Sequence, residues 1–392
     1  MLGDSVESVA APTSHRTHGL FVGLAFLGEI GLYVLAGFAG GEVEAIMQAG
    51  VMTLFLTGLA LLAYLGADWL PGRVLALLWL YGLLLAVALL SLGMSYSGLL
   101  DPTTLGPLDE PTLVTGGEAR LAAIMLTTLV ALGVGGLGFI PAVRRWLSRL
   151  VPLDPRSFVH TVALVAVVTL ALTCLAPLVF LAEPPLLSLV QISANQGMDI
   201  LGERGAAGSL RDDLYGLMWT LPCAVFAVGC GLRRTLPQAL RRLGLVRPGV
   251  RQVVGGVAAS VLMFFAVTLL EEAITWSWSA AGWPTTDAEA FGRLFAHYSS
   301  PLGAIVLGVT AGLGEEVTVR GVLQPRLGIF LSNLLFTSLH AFQYHWDGLL
   351  IVFILGTVLG LLRKWTNTST SAIAHGLYDF FTAIGTMATG GS

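Results

Sequence analysis

Long apolar segments follow one another along most of the chain, separated by short polar loops. Each apolar segment has about 18 residues or more, enough for an α-helix to cross a hydrocarbon core of about 30 Å. Because helices satisfy their own backbone hydrogen bonds inside lipid, the pattern predicts an all-α, polytopic transmembrane helical bundle. We predict eleven spans, at 18–40, 45–66, 73–96, 119–140, 158–182, 214–232, 252–276, 302–324, 327–344, 347–363 and 369–389.

The composition agrees with membrane insertion. Of 392 residues, 55% are hydrophobic and 11% are charged, whereas a soluble domain has about 25% charged residues. The net charge of −4 is spread over the loops without a basic tract. The lipid bilayer is therefore an expected partner, and nucleic acid is not.

The distribution of basic residues predicts the orientation. With a cytoplasmic N-terminus, eleven spans place most basic residues on the inner side, including those of the loops at 144–156 and 233–251. Most acidic residues between the spans then lie outside. The positive-inside rule describes this distribution, so we expect an integral membrane protein with its N-terminus in the cytoplasm.

A basic loop divides the chain into two predicted parts. The loop at 233–251 contains Pro237 and Pro248 and separates spans with few charges from spans that contain most of the membrane-embedded ionisable groups. We predict an N-terminal transmembrane bundle of about six spans at 1–247. A functional core of about five spans follows at 248–392.

Three ionisable residues lie close together in the eighth predicted span, in the sequence GLGEEVTVRGVL. Charged groups are costly to bury in a membrane, so each needs a partner or a function. At about 100° per residue of α-helix, Arg320 lies nearly on the face of Glu316 but about 140° from Glu315. We expect Glu316 to pair with Arg320. The simpler alternative is a salt bridge near a helix end, with both glutamates reaching water.

Two further sites in the last three spans carry ionisable residues. His340 lies within the ninth predicted span, and His375 precedes Asp379 by four residues in the eleventh. A lone histidine in an apolar helix is more often a hydrogen-bonded core residue than a catalyst. Three neighbouring spans that each carry such a group predict a shared polar cavity.

The motifs of these spans resemble a known family. EExxxR at Glu315 to Arg320, FxxxH at Phe336 to His340 and HxxxD at His375 to Asp379 occur in this order on successive spans. In order and spacing they resemble the CPBP (Abi) family of type II CAAX prenyl endopeptidases, which are intramembrane glutamic proteases. The resemblance covers about residues 300–385 and leaves the first six spans outside it.

The resemblance implies a role for each motif residue. Glu315 would be the general base that activates a water molecule, and His340 would hold that water or share its proton. Glu316 and Arg320 would form a supporting structural pair. His375 would donate a hydrogen bond to the oxyanion of the tetrahedral intermediate.

The last motif position departs from the family pattern. Many members have Asn, which can donate an N–H to an oxyanion, whereas an ionised Asp379 can only accept. Asp379 is therefore expected to orient or charge His375.

The implied activity is that of a membrane-embedded endopeptidase that needs no cofactor. Its substrate would be a membrane protein or peptide. This substrate would be associated with the membrane, or would be anchored or lipidated at its C-terminus. Zn²⁺ is the rival expectation, since Glu, His, His and Asp are a plausible ligand set, but the chain has no HExxH. The six-span extension and the lack of organellar signals favour a bacterial inner membrane.

Two other function classes stay open at this stage. Buried ionisable groups also relay protons in transporters, although the sequence has no internal repeat of the kind that marks many of them. A catalytically silent family member, acting as an immunity or scaffold protein, would contain the same helices.

Overall fold

The described part of the chain consists of helices joined by short loops, with no β-strand in it. The computed structural model describes residues 31, 34, 37, 38, 40–100, 112–195 and 205–388. The helices are α1 (Gly41–Gly66), α2 (Leu70–Gly98), α3 (Gly117–Gly136), α4 (Pro141–Leu147), α5 (Phe158–Leu181), α6 (Pro185–Asn195), α7 (Gly205–Ala227), α8 (Leu236–Leu243), α9 (Val250–Ala281), α10 (Ala288–Leu294), α11 (Pro301–Thr310), a π-helix (Ala311–Leu323), α12 (Gln324–Leu339), α13 (Trp346–Trp365) and α14 (Thr368–Ala388). The prediction of an all-α bundle is confirmed.

Seven helical segments in the described ranges are long and apolar enough to cross a membrane. They are Gly41–Gly66, Leu70–Gly98, Gly117–Phe139, Phe158–Leu181, Val250–Ala281, Pro301–Phe342 and Trp346–Trp365. The protein is therefore an integral membrane protein. By length and composition, each of these segments can bury its backbone in lipid without help from a neighbour.

The predicted count of eleven spans is not confirmed. The predictions at 302–324 and 327–344 lie within the single segment Pro301–Phe342. The predicted spans 214–232 and 369–389 correspond to α7 and α14, which are not among the seven. Both helices contain several polar residues, which lower their mean hydropathy. The predicted span 18–40 lies largely outside the described residues.

Helix α5 forms the centre of the bundle. It is 72% buried by the protein, whereas the other candidate spans are 22–39% buried. One of its faces packs against α12 through Leu164, Val167 and Ala171, which contact residues such as Leu327 and Leu331. The predicted parts 1–247 and 248–392 therefore share a hydrophobic core. The boundary between them stays a prediction.

The backbones of α11 and of the start of the π-helix approach α14 closely, because glycine occupies the contact on both sides. A Cβ added to Gly312 would lie 2.7 Å from the Cα of Gly376, and one added to Gly376 would overlap the carbonyl oxygen of Gly308. Small residues permit such close approach between membrane helices. The contact brings the π-helix against the part of α14 that contains His375.

The eighth predicted span changes from α-helix to π-helix at Ala311. At its end, the backbone N–H of Gln324 donates to the carbonyl of Val319, five residues earlier. The sequence pattern predicted a regular α-helix here. π-Helices are rare and frequently occur at functional sites, because they widen the turn and redirect side chains.

A buried ion pair joins two residues of the π-helix. Arg320 Nη1 lies 3.1 Å from Glu316 Oε1, and the exposed fractions of the two side chains are 1% and 0%. Arg320 Nη2 also donates to the Gly356 carbonyl at 3.0 Å, and its Cζ lies 4.5 Å from the centroid of the Phe336 ring. A backbone carbonyl of α13 thus helps to hold the arginine in place.

Replacing Gly376 with alanine should destabilise the fold. The added methyl group meets the backbone of α11, which cannot rotate away, so we expect a loss of about 1–3 kcal/mol. Thermal unfolding of purified protein in detergent measures the effect. Gly255→Ala is the matched control, because a Cβ at that helical position has no heavy atom within 4 Å. Equal stability of the two variants would contradict the close approach.

Removing the arginine of the buried ion pair should lower the free energy of unfolding far more than removing the arginine of an exposed ion pair. Arg320→Met leaves the Glu316 carboxylate buried without its cation, and such losses cost about 3–5 kcal/mol. The control is Arg293→Met, which breaks a pair with Glu289 at the same four-residue spacing but with side chains 49% and 73% exposed; there we expect about 0–1 kcal/mol. Thermal unfolding of both variants under one condition checks the difference, and similar losses would contradict it.

Candidate active site

His375 is held in place by the buried carboxylate of Glu316. Its Nδ1 lies 3.0 Å from Glu316 Oε1, and the hydroxyl of Ser371 donates to the other oxygen of that carboxylate. An ionised carboxylate can only accept, so Nδ1 of His375 must be the nitrogen that donates. Glu316 therefore fixes the ring orientation and leaves Nε2 available for chemistry.

The Nε2 atom of His375 faces two further carboxylates. It lies 3.4 Å from Asp379 Oδ2 and 3.8 Å from Glu315 Oε2. The Glu315 side chain is 37% exposed and that of Asp379 is 17% exposed, whereas Glu316 is fully enclosed. Glu315 and Asp379 thus form the accessible side of the cluster, and Glu316 with Arg320 forms its buried side.

His340 directly follows α12, at the start of the 3₁₀-helix His340–Phe342, and lies one turn after Phe336. Its Nδ1 is 2.8 Å from the Phe336 carbonyl oxygen, which assigns the Nδ1 proton by hydrogen-bond geometry and leaves an acceptor lone pair on Nε2. The Phe336 ring lies between the two histidines, with ring-centroid distances of 4.7 Å to His340 and 6.3 Å to His375. Both imidazoles and the Arg320 guanidinium therefore share one aromatic neighbour.

Five of the six predicted site residues form one connected cluster, and the sixth adjoins it. Glu315, Glu316, Arg320, His375 and Asp379 are linked by the ion-pair contacts given above. His340 contacts the cluster through Phe336. Within the described part of the chain no hydrogen bond joins His340 directly to Glu315, so their predicted cooperation needs a bridging molecule such as water. The catalytic roles stay predictions.

Residues that the sequence analysis did not single out complete the surroundings. Ser371 lies one helical turn before His375, so an SxxxH spacing on α14 was the available signal.

The Tyr298 hydroxyl donates to Asp213 of α7 at 2.8 Å. Burial raises the pKa of Tyr298, and the charges of Asp213, Glu315 and Asp379 raise it further. Since Asp213 and Tyr298 are 85 residues apart in the sequence, no local pattern could have shown this contact.

The site carries more negative than positive groups. Three carboxylates surround one guanidinium and one imidazole, and the Nδ1 of that imidazole is already engaged. In the described ranges, no group of three or more His, Cys, Asp or Glu side chains has the arrangement needed to hold a metal ion. The prediction that the protein needs no cofactor is not tested by this geometry.

Comparison with known proteins gives a match over the same part of the chain. Residues 297–381 match the sequence profile described as "Type II CAAX prenyl endopeptidase Rce1-like". The chain is also 33% identical over 90 residues to "Uncharacterized protein YpbD" of Bacillus subtilis (strain 168), which covers 22% of this chain and 47% of that relative. The chain thus spans about half the length of that relative. No solved structure matches.

The matched segment contains all the site residues described above, from Tyr298 to Asp379, apart from Asp213. It begins just before α11 and ends within α14, so the matched profile and the geometric cluster coincide in the chain. The chain is thus an α-helical membrane protein whose C-terminal region is similar to Rce1-like type II CAAX prenyl endopeptidases, over the residues that carry its motifs.

Proposed function

We propose that this protein is an intramembrane endopeptidase of the glutamate type. The observation that carries the proposal is the asymmetry of the paired glutamates. Glu316 is enclosed and committed to Arg320 and His375, whereas its neighbour Glu315 is partly exposed and approaches the other nitrogen of His375. One carboxylate is structural, and the other is available to a water molecule and a substrate.

Glu315 would act as general base, with His340 as its partner. The acceptor lone pair on Nε2 of His340 suits a water molecule that donates one hydrogen to the imidazole and the other to Glu315. Glu315 takes a proton as the water oxygen bonds to the carbonyl carbon of the substrate. The C–N bond then breaks as this proton passes to the leaving amine, which regenerates the carboxylate.

His375 would stabilise the oxyanion that forms during this attack. Donation from Nε2 requires an imidazole that is protonated on both nitrogens, since Nδ1–H already donates to Glu316. Asp379, one turn further along α14, lies near Nε2 and is positioned to orient the ring. A preorganised donor of this kind acts strongly where water is excluded.

The proposed substrate is a membrane-associated protein, or one that is anchored or lipidated at its C-terminus. The description of the matching family as prenyl endopeptidases supports this class. The partly exposed side of the site opens beside membrane-spanning helices, which suits a substrate that arrives through or along the bilayer. We further propose a bacterial inner membrane, a cytoplasmic N-terminus, and a catalytic core at 248–392 attached to a distinct bundle at 1–247.

Glu315→Gln should abolish proteolysis while leaving the protein folded. The amide cannot accept the water proton, and loss of a general base costs about 10²–10⁴-fold in rate. Membranes from cells with wild-type or variant protein are compared by mass spectrometry of protein termini, with cleavage products expected only for the wild type. Glu272→Gln in α9, from a glutamate pair that no arginine follows, is the matched control.

Other outcomes of that experiment would point to the competing classes. Unchanged cleavage products with Glu315→Gln would remove this residue as the base. Full complementation by the variant in cells would indicate a silent scaffold. Ion flux in proteoliposomes that disappears with Glu315→Gln, in the absence of any cleavage, would indicate a transporter.

Asp379→Asn should retain most of the activity, whereas Asp379→Ala should lose it. Asparagine keeps a polar group beside His375 Nε2, 3.4 Å away in the wild type, and can itself donate to an oxyanion. We expect Asn to remain within about tenfold of wild type and Ala to fall by about 10²–10³-fold, because His375, the oxyanion donor, then loses the group that orients it. Cleavage rates on a product identified above measure both. Equal loss in the two variants would contradict this role.

A further inference from the structure

Helix α7, which precedes the predicted catalytic core, contacts the segment of chain just before α11. The Tyr298 hydroxyl donates to Asp213 Oδ2 at 2.8 Å, and Nε2 of His297 lies 3.7 Å from the same oxygen. The side chain of Asp213 is 30% exposed and that of His297 is 12% exposed. One carboxylate of α7 thus engages two consecutive residues of the other part of the chain.

Tyr298 is firmly connected to the helical segment that contains the paired glutamates. It ends the 3₁₀-helix Ala296–Tyr298, and two residues later the Ser300 hydroxyl caps α11 by accepting from the backbone N–H of Gly303 at 2.9 Å. A Cβ added to Gly303 would lie 2.7 Å from the Cα of Tyr298, so the first turn of α11 packs directly on that backbone. Helix α11 then continues into the π-helix that contains Glu315. A hydrogen bond to Tyr298 therefore fixes α7 relative to the candidate site.

One turn further along α7, Leu217 lies over the residue that precedes Glu315. A Cβ added to Gly314 would lie 3.7 Å from Cδ1 of Leu217, and within 4 Å of no other described residue beyond its own turn of helix. Residues four apart on an α-helix share a face, so Asp213 and Leu217 lie on the same side of α7. Leu217, Gly314 and Glu315 are all partly exposed. The space beside Gly314 is thus bounded by Leu217 and is accessible.

This space lies where the chain of a substrate must run. A peptide carbonyl attacked by water on Glu315 comes within about one water molecule of that carboxylate. An extended peptide advances about 3.3–3.6 Å per residue, so a residue next to the scissile bond falls within reach of Gly314 and Leu217. The isobutyl group of Leu217 offers this residue an apolar surface, and apolar surfaces in binding sites favour apolar groups.

We propose that α7 forms one wall of the substrate site, in which Leu217 contacts an apolar side chain next to the scissile bond and the hydrogen bond between Asp213 and Tyr298 holds the wall in place. This inference rests on the proposed protease function. Leu217 is then a specificity-determining residue, and Asp213 and Tyr298 are positioning residues. The part of the chain before 248 would thereby take part in substrate selection.

Leu217→Ala should change which substrates are cleaved without abolishing cleavage. Rates are measured on an identified cleaved protein and on its variants with Ala, Leu or Phe at each position flanking the cut. A difference of a methylene or more in an apolar pocket changes selectivity by about 10–200-fold, so we expect the preference between Ala and Phe to shift by at least about tenfold. Leu214→Ala makes the same truncation at a position of α7 that is 42% exposed and should leave the preference unchanged.

Tyr298→Phe removes only the hydroxyl that donates to Asp213. We expect KM to rise about tenfold with kcat unchanged, as for loss of a hydrogen bond to a charged group that affects substrate binding alone. Tyr215→Phe is the matched control, because it removes a hydroxyl of α7 that donates to Glu42 of α1 at 2.7 Å. Asp213→Asn keeps an acceptor oxygen and should remain near wild type, whereas Asp213→Ala should match Tyr298→Phe.

Glu315→Gln measured in parallel separates this inference from the proposed function. If it abolishes cleavage, but Leu217→Ala leaves the preference unchanged or Tyr298→Phe leaves KM unchanged, the wall is wrong and the protease proposal stands. Equal effects of Tyr215→Phe and Tyr298→Phe, or equal losses with Asn and Ala at 213, would also overturn the wall. Absence of cleavage by the wild type would remove both proposals. Leu217→Met, which is similar in volume, provides the selectivity measurement if Leu217→Ala does not fold.

Discussion

The ion pair between Glu316 and Arg320 is the interaction on which the candidate site depends. Neither side chain reaches solvent, so the two charges must neutralise each other and find further partners inside the protein. Arg320 obtains them from the Gly356 carbonyl and the Phe336 ring, and Glu316 from helix α14. The pair therefore connects the π-helix to α12, α13 and α14, and it fixes the orientation of His375.

Close backbone contact makes this arrangement possible. Glycines at the contact between α11 and α14 let the backbones of the two helices touch directly. The π-helix then directs Glu315 and Glu316 to different surroundings, one partly exposed and one enclosed. Two adjacent residues of the same type thus acquire different chemistry, because their environments differ in solvent access and in partners.

The charged groups of the candidate site do not balance. At the candidate site, carboxylates outnumber cations, and each cation has a carboxylate partner. Arg326 of α12, by contrast, donates to neutral oxygens such as the Tyr64 hydroxyl and the Ala227 carbonyl. Arg242 of α8 donates to the carbonyl of Gly321, so α8 contacts the end of the helix that contains both glutamates.

The sequence by itself determined the helical class and the membrane environment, and it predicted the six residues of the candidate site, because apolar length, buried charge and four-residue spacing are local properties of a chain. It also paired Glu316 with Arg320 correctly, since residues four apart share a helix face. Only the tertiary structure decided that His375 rather than His340 lies beside Glu315, that Ser371 supports Glu316, and that Asp213 and Tyr298 meet. These contacts join residues far apart in the chain, and their geometry follows from helix packing that no local pattern encodes.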